Sequence, residues 1–298
     1  MEKCKSVMVK PKLHTNNKHK LGYNFEALCD VYPDLKDFIT LNKSNQNTIN
    51  FANPEAVKAL NKALLFKHYR IKFWDFPDDN LCPPIPGRVD YIHYLNDLLT
   101  DENYTKTVKV IDIGTGATSI YPLLGHAEYN WNFVATDIDV ASLQNAKSII
   151  QKNNLVDAIE LRHQNDNQHI LKGIIKASDA FALSMCNLPF YKNEAEANAA
   201  TERKLKGLKS SEDNFIRNFS GTPNELIYKG GEKAFLHNYI YESSQFKAQC
   251  MWFTTLVSKR DLIKGLKASL VKLGATKTKV ISMGQGQKVS RILAWTFN

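Results

Sequence analysis

The sequence predicts an α/β fold, a parallel sheet covered by helices on both faces and finished at one edge by an antiparallel hairpin. Two observations carry this expectation. From Thr107 onward apolar strand-like runs alternate with helical runs, the pattern of strands joined by crossover helices. The last two apolar runs, "KVISM" and "RILAWTF", are separated by "GQGQKVS", which is too short for a crossover helix, so they must turn back on one another.

The elements follow in order. Lys3, Lys5, Lys10, Lys12, Lys18 and Lys20, with His14 and His19, occupy a stretch that has almost nothing apolar to bury, so residues 1–20 read as a mobile basic arm, either a solvated tail or a phosphate-binding segment. Residues 21–87 read as a small helical subdomain and its connector. In it "NFEALCDVYPDLKDFI" has helical spacing broken at Pro33, and "INFANPEAVKALNKALLFKHY" gives a short strand, a cap at Asn53, Pro54 in the first turn and a helix to about Tyr69. The connector "WDFPDDNLCPPIPGR", with four prolines and a glycine, should hold no regular element as far as Arg88, after which "VDYIHYLNDLL" is a helix. Residues 88–298 form the main domain. Its strands are "VKVIDIG", "NWNFVATDID", "AIELRHQ", "DAFALSMC", "AQCMWFTTLVS" and "ATKTKVISM"; its helices are "VASLQNAKSIIQKN", "GEKAFLHNYIYESS" and "RDLIKGLKASLVKLG". About forty polar and charged residues between Tyr191 and Gly231 form an excursion of the length usually reserved for function or disorder.

Composition narrows the class. The chain has 298 residues, 43% of them hydrophobic, enough for a proper core. A formal charge of +9 favours a polyanionic partner such as nucleic acid, although a basic surface can also serve solubility alone. The five cysteines are widely spaced and form no C-x-x-C pair, so neither a disulfide framework nor a metal site is expected. No apolar run reaches the roughly 20 residues of a membrane span, and no hydrophobic signal region is present. These features predict a cytoplasmic protein with no membrane association; a monomer is expected, though no sequence feature fixes the oligomeric state.

A ligand signature stands in "VIDIGTGATSIYPLLG". Gly114, Thr115 and Gly116 follow an apolar strand, where glycines let the backbone pass close to a ligand. Ser119 stands where the dinucleotide fingerprint would have its third glycine. Asp137, twenty-three residues beyond Gly114, falls at the end of the second strand, where a carboxylate accepts from both ribose hydroxyls. NAD and S-adenosyl-L-methionine (SAM) both suit these features. The terminal hairpin favours SAM, because it is the layout of the seven-stranded, Rossmann-like class I SAM-dependent methyltransferases, whereas the NAD-type sheet is parallel throughout. Asp112 reads equally as a loop acid and as a ligand group. Arg88 reads by spacing as a surface arginine, though its guanidinium fork would suit the SAM carboxylate.

The stretch "SMCNLPFY" indicates the reaction. It places Asn187 at the carboxyl end of the fourth strand, next to the site of the sulfonium methyl. An exocyclic amine such as adenine N6 is a poor nucleophile, and an Asn187 side-chain oxygen with the following carbonyl would hold both its N–H groups and aim its lone pair. Phe190 would stack on an extruded base. This resembles the (N/D/S)PP(Y/F/W) motif of N6-adenine and related amino methyltransferases. Across nearly the whole chain, "LHTNNKHKLGYNFEALC", "INFANPEAVKALNKALL", "LCPPIPGRVDYIHYL", "IDIGTGATSIYPLLG", "ERKLKGL", "MWFTTLVSKRDL" and "GQGQKVSRILAWTF" resemble the bacterial 23S ribosomal RNA adenine-N6 methyltransferase family, RlmF, to which the eukaryotic methyltransferase-like protein sixteen is related.

The resemblance implies SAM-binding roles for Arg88, Asp112, Gly114, Thr115, Gly116 and Asp137. It implies a catalytic role for Asn187, Leu188, Pro189 and Phe190, and ribosomal RNA as partner. Lys10, Lys12, Lys18 and Lys20 of the arm, Arg203 and Lys204 of the long loop, and Lys288 and Arg291 of the hairpin are candidate RNA contacts. The loop residues read equally as a solvated charge run, and the hairpin residues as guards against edge aggregation. The sequence departs from the family pattern at Leu188, which stands in place of the first proline; leucine keeps the carbonyl but frees φ. A silent RNA binder of the same fold and a protein glutamine methyltransferase are the alternatives.

Overall fold

The computed structural model describes residues 13–187, 193, 196, 227–285 and 288–298. In chain order the elements are α1 (Phe25–Val31), a 3-10 turn (Pro33–Phe38), β1 (Ile39–Leu41), β2 (Asn47–Ile49), α2 (Pro54–Tyr69), α3 (Ile85–Asp101), β3 (Lys109–Ile113), α4 (Ile120–Tyr129), β4 (Asn132–Asp137), α5 (Val140–Lys152), β5 (Ile159–His163) and β6 (Phe181–Cys186). Then come α6 (Gly231–Ser243), β7 (Cys250–Val257), α7 (Leu262–Lys272), β8 (Lys277–Gln285) and β9 (Lys288–Thr296).

Seven strands form one sheet in the order β5-β4-β3-β6-β7-β9-β8. The first five are mutually parallel, and β9 runs antiparallel to both β7 and β8. Each inner strand is buried on both faces and alternates its side chains between two cores. On β9, Ile292 and Ala294 join the core under α2, α3 and α4, while Leu293 and Trp295 join the one under α6 and α7. The strand order reverses at β3, whose neighbours are β4 and β6, and such a switch point opens a crevice at the carboxyl ends of the strands.

Local signals account for much of this. Asn53 caps α2 by accepting from the Glu55 and Ala56 N–H groups at 2.9 and 3.4 Å, and Pro54 opens the helix. Two readings need revision. Helix α3 begins at Ile85 and takes Pro86, Gly87 and Arg88 into its first turn, because a first-turn N–H has no intrahelical partner and proline loses nothing there. The hairpin linker is shorter than expected: Met283, Gly284 and Gln285 pair with Ser290, Val289 and Lys288. Within residues 21–87, Leu28, Leu64 and Trp74 share one continuous cluster with Phe133, Met185 and Trp252 of the sheet.

The basic arm also differs from expectation. Lys10 and Lys12 lie outside the described residues, but residues 13–20 form an anchor rather than a loose tail. Asn17 is fully buried and donates to the Pro86 carbonyl at 2.9 Å and to Asp90 at 2.5 Å. His14 N–H donates to Asp90 at 3.0 Å, and the His19 ring meets the Tyr69 hydroxyl at 2.7 Å. Polar side chains with partners this far along the chain can be buried without an apolar pattern.

Candidate functional site

A cleft of about 1140 Å³, open mouth included, lies at the carboxyl ends of β3, β4, β5 and β6. Its floor is the turn after β3. Gly114 and Gly116 adopt φ of +73° and +63°, a left-handed conformation that favours glycine, and a Cβ at Gly114 would meet nothing within 4 Å. The Gly114 and Thr115 N–H groups both donate to the Thr136 carbonyl at 2.9 Å, so the turn is pinned to the end of β4. Ser119 caps α4 in the left-handed region as well, with φ of +47°, strain of the kind that gathers at functional sites.

Asp137, at the end of β4, accepts from the Gly116 N–H at 2.8 Å and from the Asp139 N–H at 3.0 Å. Burial outweighs these bonds and raises its pKa. Each oxygen keeps acceptor capacity for a diol at the cleft. Arg88 projects from the first turn of α3. Its Nη1 donates to the Tyr121 hydroxyl at 2.9 Å, and its buried Nε has no partner among the described residues. An unpaired guanidinium N–H bordering a cleft fits an anionic ligand group. Asp112 does not line the cleft. It is buried behind the turn, and burial, opposed in part by Thr115 and Arg88 and assisted by Asp137, pushes its pKa up to about 7.

Asn187 lines the same cleft as Arg88, Gly114, Thr115, Gly116 and Asp137. A buried hydroxyl network sets the strand end that carries it. Thr254 of β7 donates its Oγ1 to the Ser184 carbonyl at 2.6 Å and its N–H to Ser184 Oγ at 3.1 Å. The Tyr91 hydroxyl from α3 meets Thr254 Oγ1 at 2.7 Å, and the Tyr239 hydroxyl from α6 meets Ser184 Oγ. The end of β6 is therefore tied to the helix that bears Arg88. Tyr91 and Tyr121, which steady these groups, carried no signal in the sequence, because a tyrosine on an apolar helix face reads as core.

Of the remaining predicted residues, the described Lys18, Lys20 and Arg291 do not line the cleft. Leu188, Pro189, Phe190, Arg203 and Lys204 lie outside the described residues, as does the side chain of Lys288. Lys18 pairs with Glu128 at 2.7 Å and lies 5.0 Å from the Tyr69 ring centre, so its charge is already engaged. Lys20 is exposed and donates to the Thr15 carbonyl. Arg291, half-buried, sits on β9 opposite Val257 and Ser282. No group of three metal-binding side chains exists among the described residues, and no described helix is long and apolar enough to cross a membrane.

The comparisons with known proteins agree with this geometry. A family model described as RNA methyltransferase matches residues 7–298. The chain is 48% identical over 302 residues to the ribosomal RNA large subunit methyltransferase F of Flavobacterium psychrophilum, covering 99% of this chain and 96% of that protein. It is 47% identical to the protein of the same name from Aeromonas salmonicida, covering 96% and 91%. Among solved structures it resembles the human METTL16 catalytic domain in complex with the MAT2A 3'UTR hairpin 1, with TM-score 0.83, 31% identity and 96% of both chains covered. It also resembles the N-terminal domain of human METTL16 in complex with SAH, with TM-score 0.77, 29% identity and 96% and 99% covered. A sheet ending in an antiparallel hairpin, a cleft at its switch point and full-length kinship to named enzymes lead to one statement: the chain belongs to the RNA methyltransferase family.

Proposed function

We propose that the protein is a SAM-dependent methyltransferase that modifies the N6 amine of an adenine in 23S ribosomal RNA, acting in the cytoplasm as a monomer. One observation carries the reading: Asn187, at the carboxyl end of β6, borders the same cleft as Arg88 and the glycine turn. The full-length relatives named as ribosomal RNA large subunit enzymes support the choice of substrate and weigh against a silent binder.

The residues present fit SAM. The Arg88 Nε–H would meet the carboxylate of its amino-acid part, Asp137 would accept from the ribose hydroxyls, and the glycine turn would let the ligand lie against the backbone. When bound, SAM supplies an electrophilic methyl on a positively charged sulfur. The Asn187 side-chain oxygen accepts one N–H of the target amine, and the Leu188 carbonyl accepts the other. Held this way the nitrogen pyramidalises and its lone pair is directed into the cleft. Phe190 stacks on the extruded base, and Pro189 limits the freedom of the segment. The proton leaves to solvent after transfer, so the reaction asks for alignment rather than a general base. Lys10, Lys12, Lys20, Arg203, Lys204, Lys288 and Arg291 are assigned to RNA phosphates.

The test uses methyl-labelled SAM and unmodified 23S ribosomal RNA, with digestion to nucleosides. Label in N6-methyladenosine is expected. Asn187→Ala should lower kcat by roughly a hundredfold or more and leave the dissociation constant for SAM within about twofold. Equal losses in both would mean that Asn187 is structural, and label elsewhere than adenine would sink the assignment.

A further inference from the structure

We propose that Glu242 is a positioning residue for the adenine half of SAM, an inference that rests on the cofactor reading above. The order of groups along the sheet edge locates that half. Asn187 ends β6, Asp137 ends β4, and β5 lies beyond β4, so a ligand whose methyl lies near Asn187 and whose ribose lies at Asp137 extends its base toward the end of β5. There the cleft is walled by Gln164, Asn167, His169 and Ile170, residues of the segment that follows β5.

That segment has no regular structure of its own to fix it, and a single carboxylate gathers its backbone. Glu242, near the end of α6, is 2% exposed. Its Oε2 accepts from the N–H groups of Ile170, Leu171 and Lys172 at 3.0, 2.7 and 3.0 Å. Its Oε1 meets the same Ile170 N–H at 3.2 Å and the His169 Nδ1 at 3.1 Å. Successive N–H groups converging on one anion form a nest, a rigid arrangement when the anion is fixed. Here the anion belongs to the protein, so the nest serves shape rather than ligand capture. Asn238, one turn earlier on α6, adds a bond of 3.1 Å to the Gln168 carbonyl. Gln164 closes the segment from the other side, donating to the Lys172 carbonyl at 2.9 Å and accepting from the Asp166 N–H at 3.1 Å. The wall facing the base is therefore set by α6, an element whose own Phe235 also borders the cleft.

Glu242→Gln keeps size and removes charge, and its amide nitrogen faces N–H groups it cannot accept from. The KM for SAM and the dissociation constants for S-adenosylhomocysteine and adenosine should each rise roughly tenfold, while kcat at saturating SAM stays within about twofold. A milder variant, Asn238→Ala, should shift the same constants in the same direction by about two- to threefold, and it decides the matter if Glu242→Gln does not fold. Unchanged affinity for adenosine, with loss confined to melting temperature or active fraction, would overturn the proposal and leave Glu242 as packing support. Absence of S-adenosylhomocysteine binding to the unaltered protein would instead refute the cofactor reading beneath it.

Discussion

Two buried aspartates show how the same side chain serves different ends. Asp179 lies in an ion network with Arg162 at 2.5 Å and Lys109 at 3.1 Å, and although burial opposes ionisation, these partners hold its carboxyl well below the usual range. Asp112 has no such partners, and burial moves it the other way, to about 7. The native state thus keeps a proton that the unfolded chain releases near pH 4. The stability this confers is complete below that pH and is lost as pH rises toward 7. Asp112→Asn cannot ionise. Its unfolding free energy, measured in denaturant from pH 4 to pH 8 without SAM, should gain on that of the unaltered protein by about 4 kcal/mol across the range. A difference that stays flat with pH would show that Asp112 is ionised in the folded protein throughout.

Contacts between elements decide how well the cleft keeps its form. Helix α4 begins at the glycine turn, and its Gly125 lies so close to β4 that an added Cβ would come within 2.4 Å of the Phe133 ring. Gly125→Ala should therefore lower stability by about 1–3 kcal/mol, read from denaturant midpoints, because the helix or the ring must shift. The elements most legible in the sequence were those whose signals are local. The Asn53 cap, the apolar alternation of the strands and the "GTG" turn all sit where their residues suggested. The start of helix α3 is hidden in the sequence because prolines read as barriers, although in a first turn they are neutral. Among the residues that line the cleft, Asn187 and Asp137 were legible from strand-end position, whereas Arg88 reads by spacing as a surface arginine and enters only through the family resemblance. Tyr91, Tyr121 and Glu242 were not legible, because their roles depend on partners tens of residues away or more.

Over the whole molecule, residues 13–20 show how distant parts support the cleft. Asn17 holds the Pro86 carbonyl and Asp90, on either side of Arg88 in α3. Asn17→Ala should cost about 2 kcal/mol, seen as a lower midpoint in urea, since it leaves two buried acceptors short of a donor. The segment looked like a tail because its buried groups are histidines and an asparagine, and sequence patterning detects apolar burial alone. The same placement separates the lysines. Lys18→Ala should leave the dependence of RNA affinity on salt unchanged, its charge being already matched by Glu128, whereas Lys10→Ala or Lys12→Ala should each reduce the logarithmic salt slope by about one. A reduced slope for Lys18→Ala would put Lys18 at the RNA interface.

Strand β9 lies between β7 and β8 although it follows both in the chain. Synthesis therefore delivers β8 before its neighbour exists, and β7 emerges with one edge bare. While the ribosome still holds the later segment, the nascent chain presents two unsatisfied ladders in water, the state in which strands pair with the wrong molecule. A message truncated between Gln285 and Lys288 should consequently yield an aggregating product rather than a smaller functioning one, and the enzyme's birth is a race between finishing one strand and meeting a stranger.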